Sequence, residues 1–238
     1  MGARATAPDR TTARGGPIEG SDGDDGIAGT PLDVVIEGRA GNDTIEGLDG
    51  NDDLSGGAGN DRLIGGCGND IYRLDDGRDI LVEAEGAGEA SIFADRTVTL
   101  RDAEIEVVRL LGGDNDAIGD GVNTRFIGSN GGNPMVGGGG LDAATGNDGA
   151  DAFVLLNTPG TMRIMDLEAG DRLAIDDGFF GIDIGRNPRP LAQEEAFEIF
   201  ASGGVSYSRG NGSLQINGER LAILERGSAL GPAYVLLF

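Results

Sequence analysis

The sequence predicts an all-β solenoid, in which short strands stack turn upon turn. Four nine-residue units follow one another in strict register between residues 38 and 73, reading GRAGNDTIE, GLDGNDDLS, GGAGNDRLI and GGCGNDIYR. Each unit has Gly in fourth place, Asp in sixth place and a large apolar or aromatic residue in eighth place. A fixed period with fixed chemistry at each phase is typical of stacked repeats. The 45 glycines and the aromatic content of 5% also disfavour a thick conventional core.

The phases of the repeat have separate structural roles. Glycine lets the backbone turn through positive φ without a Cβ in the way. The last three residues of each unit alternate outward, inward and outward, as in a short strand. Only the eighth residue is therefore expected to face the core, and these residues are Ile45, Leu54, Leu63 and Tyr72.

The sixth-position aspartates are predicted to stack along two edges of the coil. If one turn holds two units, residues eighteen apart lie about 4.8 Å from one another along the axis. Asp43 then lies over Asp61, and Asp52 lies over Asp70. Two ionised carboxylates at that spacing repel by roughly 1 kcal/mol even in water. A hard divalent cation reverses the sign, and Ca²⁺ suits flexible cages of carboxylate and carbonyl oxygens.

These units resemble the RTX, or hemolysin-type, calcium-binding repeat, whose motif is GGxGxDxUx. The resemblance implies a right-handed parallel β-roll with Ca²⁺ held between turns on both edges. The expected side-chain ligands are Asp25, Asp43, Asp52, Asp61, Asp70, Asp79, Asp142 and Asp151. The expected backbone ligands are the loop glycines Gly38, Gly41, Gly47, Gly50, Gly56, Gly59, Gly65 and Gly68.

The first array extends beyond the four strict units and covers residues 18–82. GSDGDDGIA (20–28) and LDDGRDILV (74–82) keep the sixth-position Asp. GTPLDVVIE (29–37) has Val34 in that place, so its edge is expected to lack a full cation site. Residues 83–110 lose the periodic glycines of the repeat and resemble the spacer that carries an RTX roll onward without calcium.

Residues 111–154 are predicted to form a second, degenerate array. Its sixth positions are Thr124, Asn133, Asp142 and Asp151. Stacking pairs Thr124 with Asp142 and Asn133 with Asp151, so each pair has one carboxylate. These sites are expected either to bind calcium weakly or to be held by hydrogen bonds without metal.

The two ends of the chain differ from the arrays. Residues 1–17 are predicted to be a disordered tail, and residues 155–238 a β-rich cap with one short helix at 191–201. The apolar end AYVLLF resembles the uncleaved signal of substrates of ABC-type (type I) exporters, and it also suits a capping strand. No apolar stretch follows Met1, so we expect signal-peptide-independent export from a bacterium to the extracellular space.

Composition excludes several partners and chemistries. The net charge of −23, with no Lys and no His, disfavours nucleic acid and anionic membranes and favours cations. No apolar run is long enough for a membrane-spanning helix. The sequence has no HExxH, no His-based triad, no P-loop lysine and no G-x-S-x-G. The single Cys67 cannot form an intramolecular disulfide.

The sequence therefore favours a secreted, non-enzymatic protein whose folding is coupled to Ca²⁺ binding. Two alternatives stay open at this point. One is an extracellular polysaccharide-modifying enzyme or its accessory module, because Asp and Glu pairs occur throughout the chain. The other is a surface-layer or adhesion component that uses calcium to join a cell-surface or polysaccharide partner.

Overall fold

A computed structural model gives the fold of the chain. The structure describes residues 17–75, 78–83, 86–101, 103–156, 158–168 and 170–175, and the strands at 189–190, 205–208, 213–216, 219–224 and 235–237. The predicted disordered tail, apart from Pro17, and the predicted helix at 191–201 lie outside the described residues.

Every regular element in the described part of the chain is a β-strand. The strands, in chain order, are β1 (Ile18–Glu19), β2 (Gly26–Ala28), β3 (Val35–Glu37), β4 (Thr44–Asp49), β5 (Asp53–Ser55), β6 (Arg62–Cys67), β7 (Ile71–Leu74), β8 (Ile80–Val82), β9 (Ser91–Ala94), β10 (Val98–Thr99), β11 (Val107–Leu110), β12 (Ala117–Ile118), β13 (Arg125–Ile127), β14 (Pro134–Val136), β15 (Gly140–Thr145), β16 (Ala152–Leu155), β17 (Gly160–Ile164), β18 (Arg172–Ile175), β19 (Arg189–Pro190), β20 (Val205–Ser208), β21 (Ser213–Ile216), β22 (Glu219–Leu224) and β23 (Val235–Leu237). A helix that is long and apolar enough to cross a membrane is not found among the described residues.

The chain divides into two compact units, and the first comprises residues 1–96 and 102–111. Strands β1, β3, β5, β7, β9 and β11 form one parallel sheet of this unit, and β2, β4, β6 and β8 form the other. Alternate strands therefore belong to opposite sheets, and Ile45 pairs with Leu63 eighteen residues later. The prediction of an all-β parallel β-roll is confirmed.

The eighth-position side chains form the core of the first unit. Ile45, Leu54, Leu63 and Tyr72 are fully buried. Their strand neighbours point outward, so that β2 and β3 each bury only the middle residue of three. Each such side chain contributes roughly 1.5–3 kcal/mol through burial. One residue per nine is a thin core, which explains why other interactions must support the roll.

Two phases of the repeat adopt the left-handed backbone region. The fourth-position Gly41 has φ +123° and Gly50 has φ +119°. The second position is also left-handed, and Arg39 (φ 80°) and Leu48 (φ 86°) fill it in the first two strict units. A non-glycine residue there costs roughly 1–2 kcal/mol. The repeats therefore carry local backbone strain in addition to their charge repulsion.

The second unit comprises residues 97–101 and 112–238. One of its sheets contains β10, β12, β14, β16, β18, β23 and β19, and the other contains β13, β15, β17, β22, β21 and β20. The parallel pairing continues to β22 and β23, and the last strands add antiparallel pairs. Strand β23 pairs in parallel with β18.

Candidate metal centre

Two columns of aspartates run along the edges of the first unit. In the first column, Asp43 Oδ1 accepts a hydrogen bond from the backbone N–H of Asp25 at 2.8 Å. Asp61 Oδ1 accepts one from the N–H of Asp43 at 2.8 Å, and Asp79 Oδ1 accepts one from the N–H of Asp61 at 3.0 Å. Each carboxylate thus reaches the backbone eighteen residues before it.

The second column begins without a carboxylate. Asp52 Oδ1 accepts the N–H of Val34 at 2.9 Å, and Asp70 Oδ1 accepts the N–H of Asp52 at 2.8 Å. Every aspartate of this column directly precedes a strand of the same sheet, β5 or β7. The structure therefore brings the sequence-predicted aspartates of the first array together in the two columns.

The second carboxylate oxygen of these aspartates points inward. The Oδ2 atoms of Asp43, Asp52 and Asp70 are buried and have no hydrogen-bond partner in the part of the chain that the structure describes. The three residues are at most 2% exposed. A buried charge without a partner is costly, so these oxygens require a positive counterpart or a proton.

The first-position glycines leave the space that such a counterpart needs. A Cβ on Gly38 would lie closer than 3.0 Å to Asp43 Oδ2 and 2.5 Å from the carbonyl oxygen of Gly56. A Cβ on Gly47 would likewise meet Asp52 Oδ2 and, at 2.6 Å, the carbonyl oxygen of Gly65. Each of these glycines thus leaves room at a point where a carboxylate oxygen and a carbonyl oxygen from the next turn converge. These are the donors that Ca²⁺ prefers.

The pKa values of the aspartates in the columns favour binding of a cation. Burial raises the pKa of Asp52 from 3.8 to about 6, and the Asp70 and Asp33 carboxylates add to the rise. Burial also raises the pKa of Asp43 and Asp70, with Asp61 adding to the rise at Asp43. A cation between the turns would restore the charged form of each carboxylate.

Comparison with known proteins identifies this segment. Residues 19–54, 35–63 and 46–81 match the family described as RTX calcium-binding nonapeptide repeat (4 copies). The chain carries RTX calcium-binding repeats. Calcium is accordingly the cofactor of the first array.

No curated protein sequence matches this chain. Among solved structures, the extracellular lipase LipA from Serratia marcescens matches with 15% identity and a TM-score of 0.30. The match covers 98% of this chain and 42% of the lipase, so the chain spans less than half of that protein's length.

The ends of the first RTX column are compensated within the protein. The Ser21 N–H and hydroxyl donate to Asp25 Oδ2 at 2.6 and 2.8 Å, and these bonds lower the pKa of Asp25. At the other end, Arg96 Nη2 lies 3.1 Å from Asp79 Oδ2. Asp79 is a predicted calcium ligand, and the guanidinium of a spacer residue occupies one side of its carboxylate. The inner aspartates of the column therefore have the greater need of a cation.

A second, outer ladder was not foreseen from the sequence. The side chain of each fifth-position residue accepts a hydrogen bond from the backbone one turn later. Asp24 Oδ1 accepts the Asn42 N–H at 2.7 Å, and Asn42 Oδ1 accepts the Asn60 N–H at 3.0 Å. Asn51 Oδ1 does the same for the Asn69 N–H at 2.8 Å. The signal was visible as the Gly-Asn-Asp triplet in all four strict units, in which the asparagine is as constant as the aspartate.

At one position of the second array, an asparagine amide takes the place of the sixth-position carboxylate. Asn133 occupies the sixth position, and its Nδ2 donates to the carbonyl oxygens of Gly113 and Asn115 at 3.1 and 2.8 Å. Ser129 donates to Asn133 Oδ1 from its N–H and its hydroxyl, as Ser21 does to Asp25. The amide NH₂ thus binds carbonyl oxygens directly, and this position supports the interpretation of a roll held by hydrogen bonds.

The carboxylates of the second array have acidic neighbours that the stacking rule omits. Asp142 Oδ1 accepts the Thr124 N–H at 2.9 Å, and burial raises the pKa of Asp142 to about 7, with Asp120 adding to the rise. Asp171 Oδ1 accepts the Asp151 N–H at 3.1 Å, twenty residues away. The Oδ2 atoms of Asp120 and Asp151 are buried without a hydrogen-bond partner among the described residues. Each site therefore has a second carboxylate close by, although the stacked partner lacks one.

These raised pKa values predict how the calcium-free fold depends on pH. A carboxyl whose pKa is higher in the fold than in the unfolded chain stabilises the fold when it is protonated. For Asp52, with a pKa of about 6, that contribution is complete below about pH 4 and is lost as the pH rises through 6. We expect the calcium-free chain to show more β-structure near pH 4 than near pH 8.

The matched variants for this test are Asp52→Asn and Asp49→Asn. The first removes a buried carboxyl and should flatten the pH dependence, whereas Asp49 is exposed and its replacement should not. Circular dichroism of the calcium-free chain at both pH values measures the effect. Equal β-signal at pH 4 and pH 8 for the unmodified chain would contradict the prediction.

Proposed function

We propose that this protein is a secreted, non-enzymatic RTX β-roll that folds when it binds Ca²⁺ outside the cell. The observation that carries the proposal is the stacking of buried aspartates in two columns. In these columns the Oδ2 atoms of Asp43 and Asp52 have no hydrogen-bond partner among the described residues, and each converges with a carbonyl oxygen of the next turn beside a glycine. The RTX repeats over residues 19–81 support calcium as the ion.

The chain's own residues define what the ion would do. One ion would be held in the first column by Asp43, Asp61 and the Gly56 carbonyl. A second ion would be held in the second column by Asp52, Asp70 and the Gly65 carbonyl. When bound, the ion supplies positive charge that offsets the repulsion between stacked carboxylates. Without it, a core of one buried side chain per nine residues must offset the conformational entropy alone. Binding free energy therefore becomes folding free energy.

The direct test is a calcium titration of the purified chain. We expect circular dichroism to report little β-structure in chelator and a cooperative gain as Ca²⁺ is added. Calcium-binding modules of extracellular proteins have Kd values on the order of 10⁻⁴ to 10⁻³ M, which would keep the chain unfolded inside the cell. Mg²⁺ serves as the control ion, because it demands rigid octahedral geometry and should not replace Ca²⁺. Full β-signal in chelator at neutral pH would refute ion-coupled folding.

Export is the second part of the proposal. RTX repeats are typical of type I secretion substrates, which supports release through an ABC-type exporter. We expect removal of residues 176–238 to leave the protein inside the producing bacterium, while calcium binding by residues 20–82 persists. Deletion of residues 1–16 is the matched control and should not block release. Normal appearance of the C-terminally truncated protein in the medium would contradict the export proposal.

The proposal that the protein is not an enzyme is supported by its composition. The whole chain contains no His and no Lys, the residues on which many hydrolytic and nucleotide-dependent sites depend. Turnover of a uronate polysaccharide, a peptide or an ester by the calcium-loaded chain would overturn this part of the proposal.

A further inference from the structure

The second column ends at a glycine whose surroundings differ from those of the other repeats. Gly65 is the first residue of the last strict unit, and the residue one turn later in register is Glu83. The earlier units have glycine at that place, and they present a carbonyl oxygen to the preceding turn, as Gly65 does to Gly47. Glu83 instead brings a carboxylate to this position.

Three oxygen atoms converge on the space beside Gly65. A Cβ on Gly65 would lie closer than 3.0 Å to Asp70 Oδ2, 2.5 Å from the Tyr72 hydroxyl and 2.6 Å from Glu83 Oε2. The Tyr72 hydroxyl donates to Glu83 Oε2 at 2.6 Å and accepts the Gly65 N–H at 2.8 Å. In the earlier unit, the N–H of Gly38 bonds instead to the Ser55 carbonyl oxygen of the next turn. The Tyr72 hydroxyl therefore replaces a backbone carbonyl oxygen as the acceptor for the Gly65 N–H, and it holds the Glu83 carboxylate by a hydrogen bond.

The burial of these groups separates this cluster from an ordinary acidic surface. Asp70 is 0% exposed and Glu83 is 8% exposed. Asp70 Oδ2 is directed into the cluster and has no hydrogen-bond partner in the described part of the chain. At the corresponding end of the first column, Arg96 provides a positive charge to Asp79. The two columns thus end differently, and the second has two carboxylates directed at one point.

We propose that Asp70 and Glu83 together bind a terminal Ca²⁺ ion. Glu83 supplies the carboxylate that the following turn of the second column lacks, since Asp79 of the intervening repeat belongs to the first column. This inference rests on the proposed calcium binding of the array. The hydroxyl of Tyr72 positions the Glu83 carboxylate. The repeat array thereby gains one cation site that the nonapeptide motif does not encode, at the junction with the spacer.

The test compares Glu83→Gln with Glu46→Gln in the full chain. Glu83→Gln keeps the shape of the side chain and removes its charge, and Glu46 is an exposed glutamate within a strict repeat. We expect equilibrium dialysis with Ca²⁺ to show the loss of one bound ion per chain, or a rise of roughly tenfold or more in the Kd of one site, only for Glu83→Gln. Circular dichroism in calcium checks that each variant is folded.

Terbium gives a second readout, of ions bound close to Tyr72, and Glu83→Gln separates the terminal site from the ion between Asp52 and Asp70. The chain has no Trp and three Tyr, and the Tyr72 hydroxyl borders the proposed site. Terbium bound there should emit when tyrosine is excited. We expect Tyr72→Phe to lose most of this emission and to weaken calcium binding at the terminal site less than Glu83→Gln does, because it removes only the hydroxyl that positions the carboxylate. Glu83→Gln should lose one bound ion together with the emission from that ion. If Glu83→Gln does not fold, the wild type and Tyr72→Phe decide the question, and equal emission from the two would overturn the proposal.

The outcomes separate this site from the calcium function as a whole. If Glu83→Gln binds as many ions as the wild type with the same affinity, while Asp43→Asn binds fewer, the terminal site is refuted and the array is not. If the wild type binds no Ca²⁺, both the array proposal and the terminal site are refuted.

Discussion

Asp43→Asn is expected to raise the calcium concentration needed for folding roughly tenfold or more, and Asp25→Asn considerably less. Asp43 lies inside the first column, between Asp25 and Asp61, and its buried Oδ2 has no partner among the described residues. In the stacked arrangement it would contribute to two ions. Asp25 lies at the column end, where Ser21 already donates two hydrogen bonds to its Oδ2.

Asparagine is the suitable replacement because the fold already accommodates it at the sixth position. Asn133 accepts the same pair of hydrogen bonds from Ser129 that Asp25 accepts from Ser21. Each variant therefore removes one charge from the column, and the two differ mainly in where along the column that charge lies. The measurement is the midpoint of a calcium titration followed by circular dichroism. Equal midpoints for the two variants would refute the stacked-column arrangement.

Gly38→Ala is expected to abolish calcium-dependent folding of the first array, or to require far more calcium. Its Cβ would overlap Asp43 Oδ2 and lie 2.5 Å from the carbonyl oxygen of Gly56. The methyl group would fill the space between the two oxygens where an ion would bind. The overlapping carbonyl belongs to the backbone of the next turn, so relief requires the turns themselves to move.

Gly26→Ala is the matched control for this substitution. A Cβ there would have no heavy atom within 4 Å, and the residue lies in β2, which pairs with β4, the strand that follows Asp43. We expect it to leave the titration unchanged, or to stabilise the strand slightly, because glycine loses more entropy than alanine on folding. Calorimetric calcium titration and circular dichroism measure both variants. Equal behaviour of Gly38→Ala and Gly26→Ala would show that the space beside Gly38 has no role in binding.

The repeat pattern alone predicted the architecture of the first array. A nine-residue period with two units per turn places residues eighteen apart in register, and the pairing of Ile45 with Leu63 follows that rule. The same rule predicted the columns of Asp43 over Asp61 and of Asp52 over Asp70. Local periodicity was sufficient because every unit repeats the same backbone turn and contributes one core side chain.

Only the tertiary structure decided which carboxylates have partners within the protein. The spacer abandons the eighteen-residue spacing, since Tyr72 pairs with Ile92 and Val108 pairs with Ile92. Arg96, which follows this change of spacing, therefore reaches Asp79 at a position that no period encodes. Glu83 lies in register with Gly65, but it brings a carboxylate to a place where the repeat has glycine. A repeat fixes contacts between equivalent residues, but electrostatic compensation depends on distances between inequivalent ones. That is why the columns could be predicted from the sequence and their ends could not.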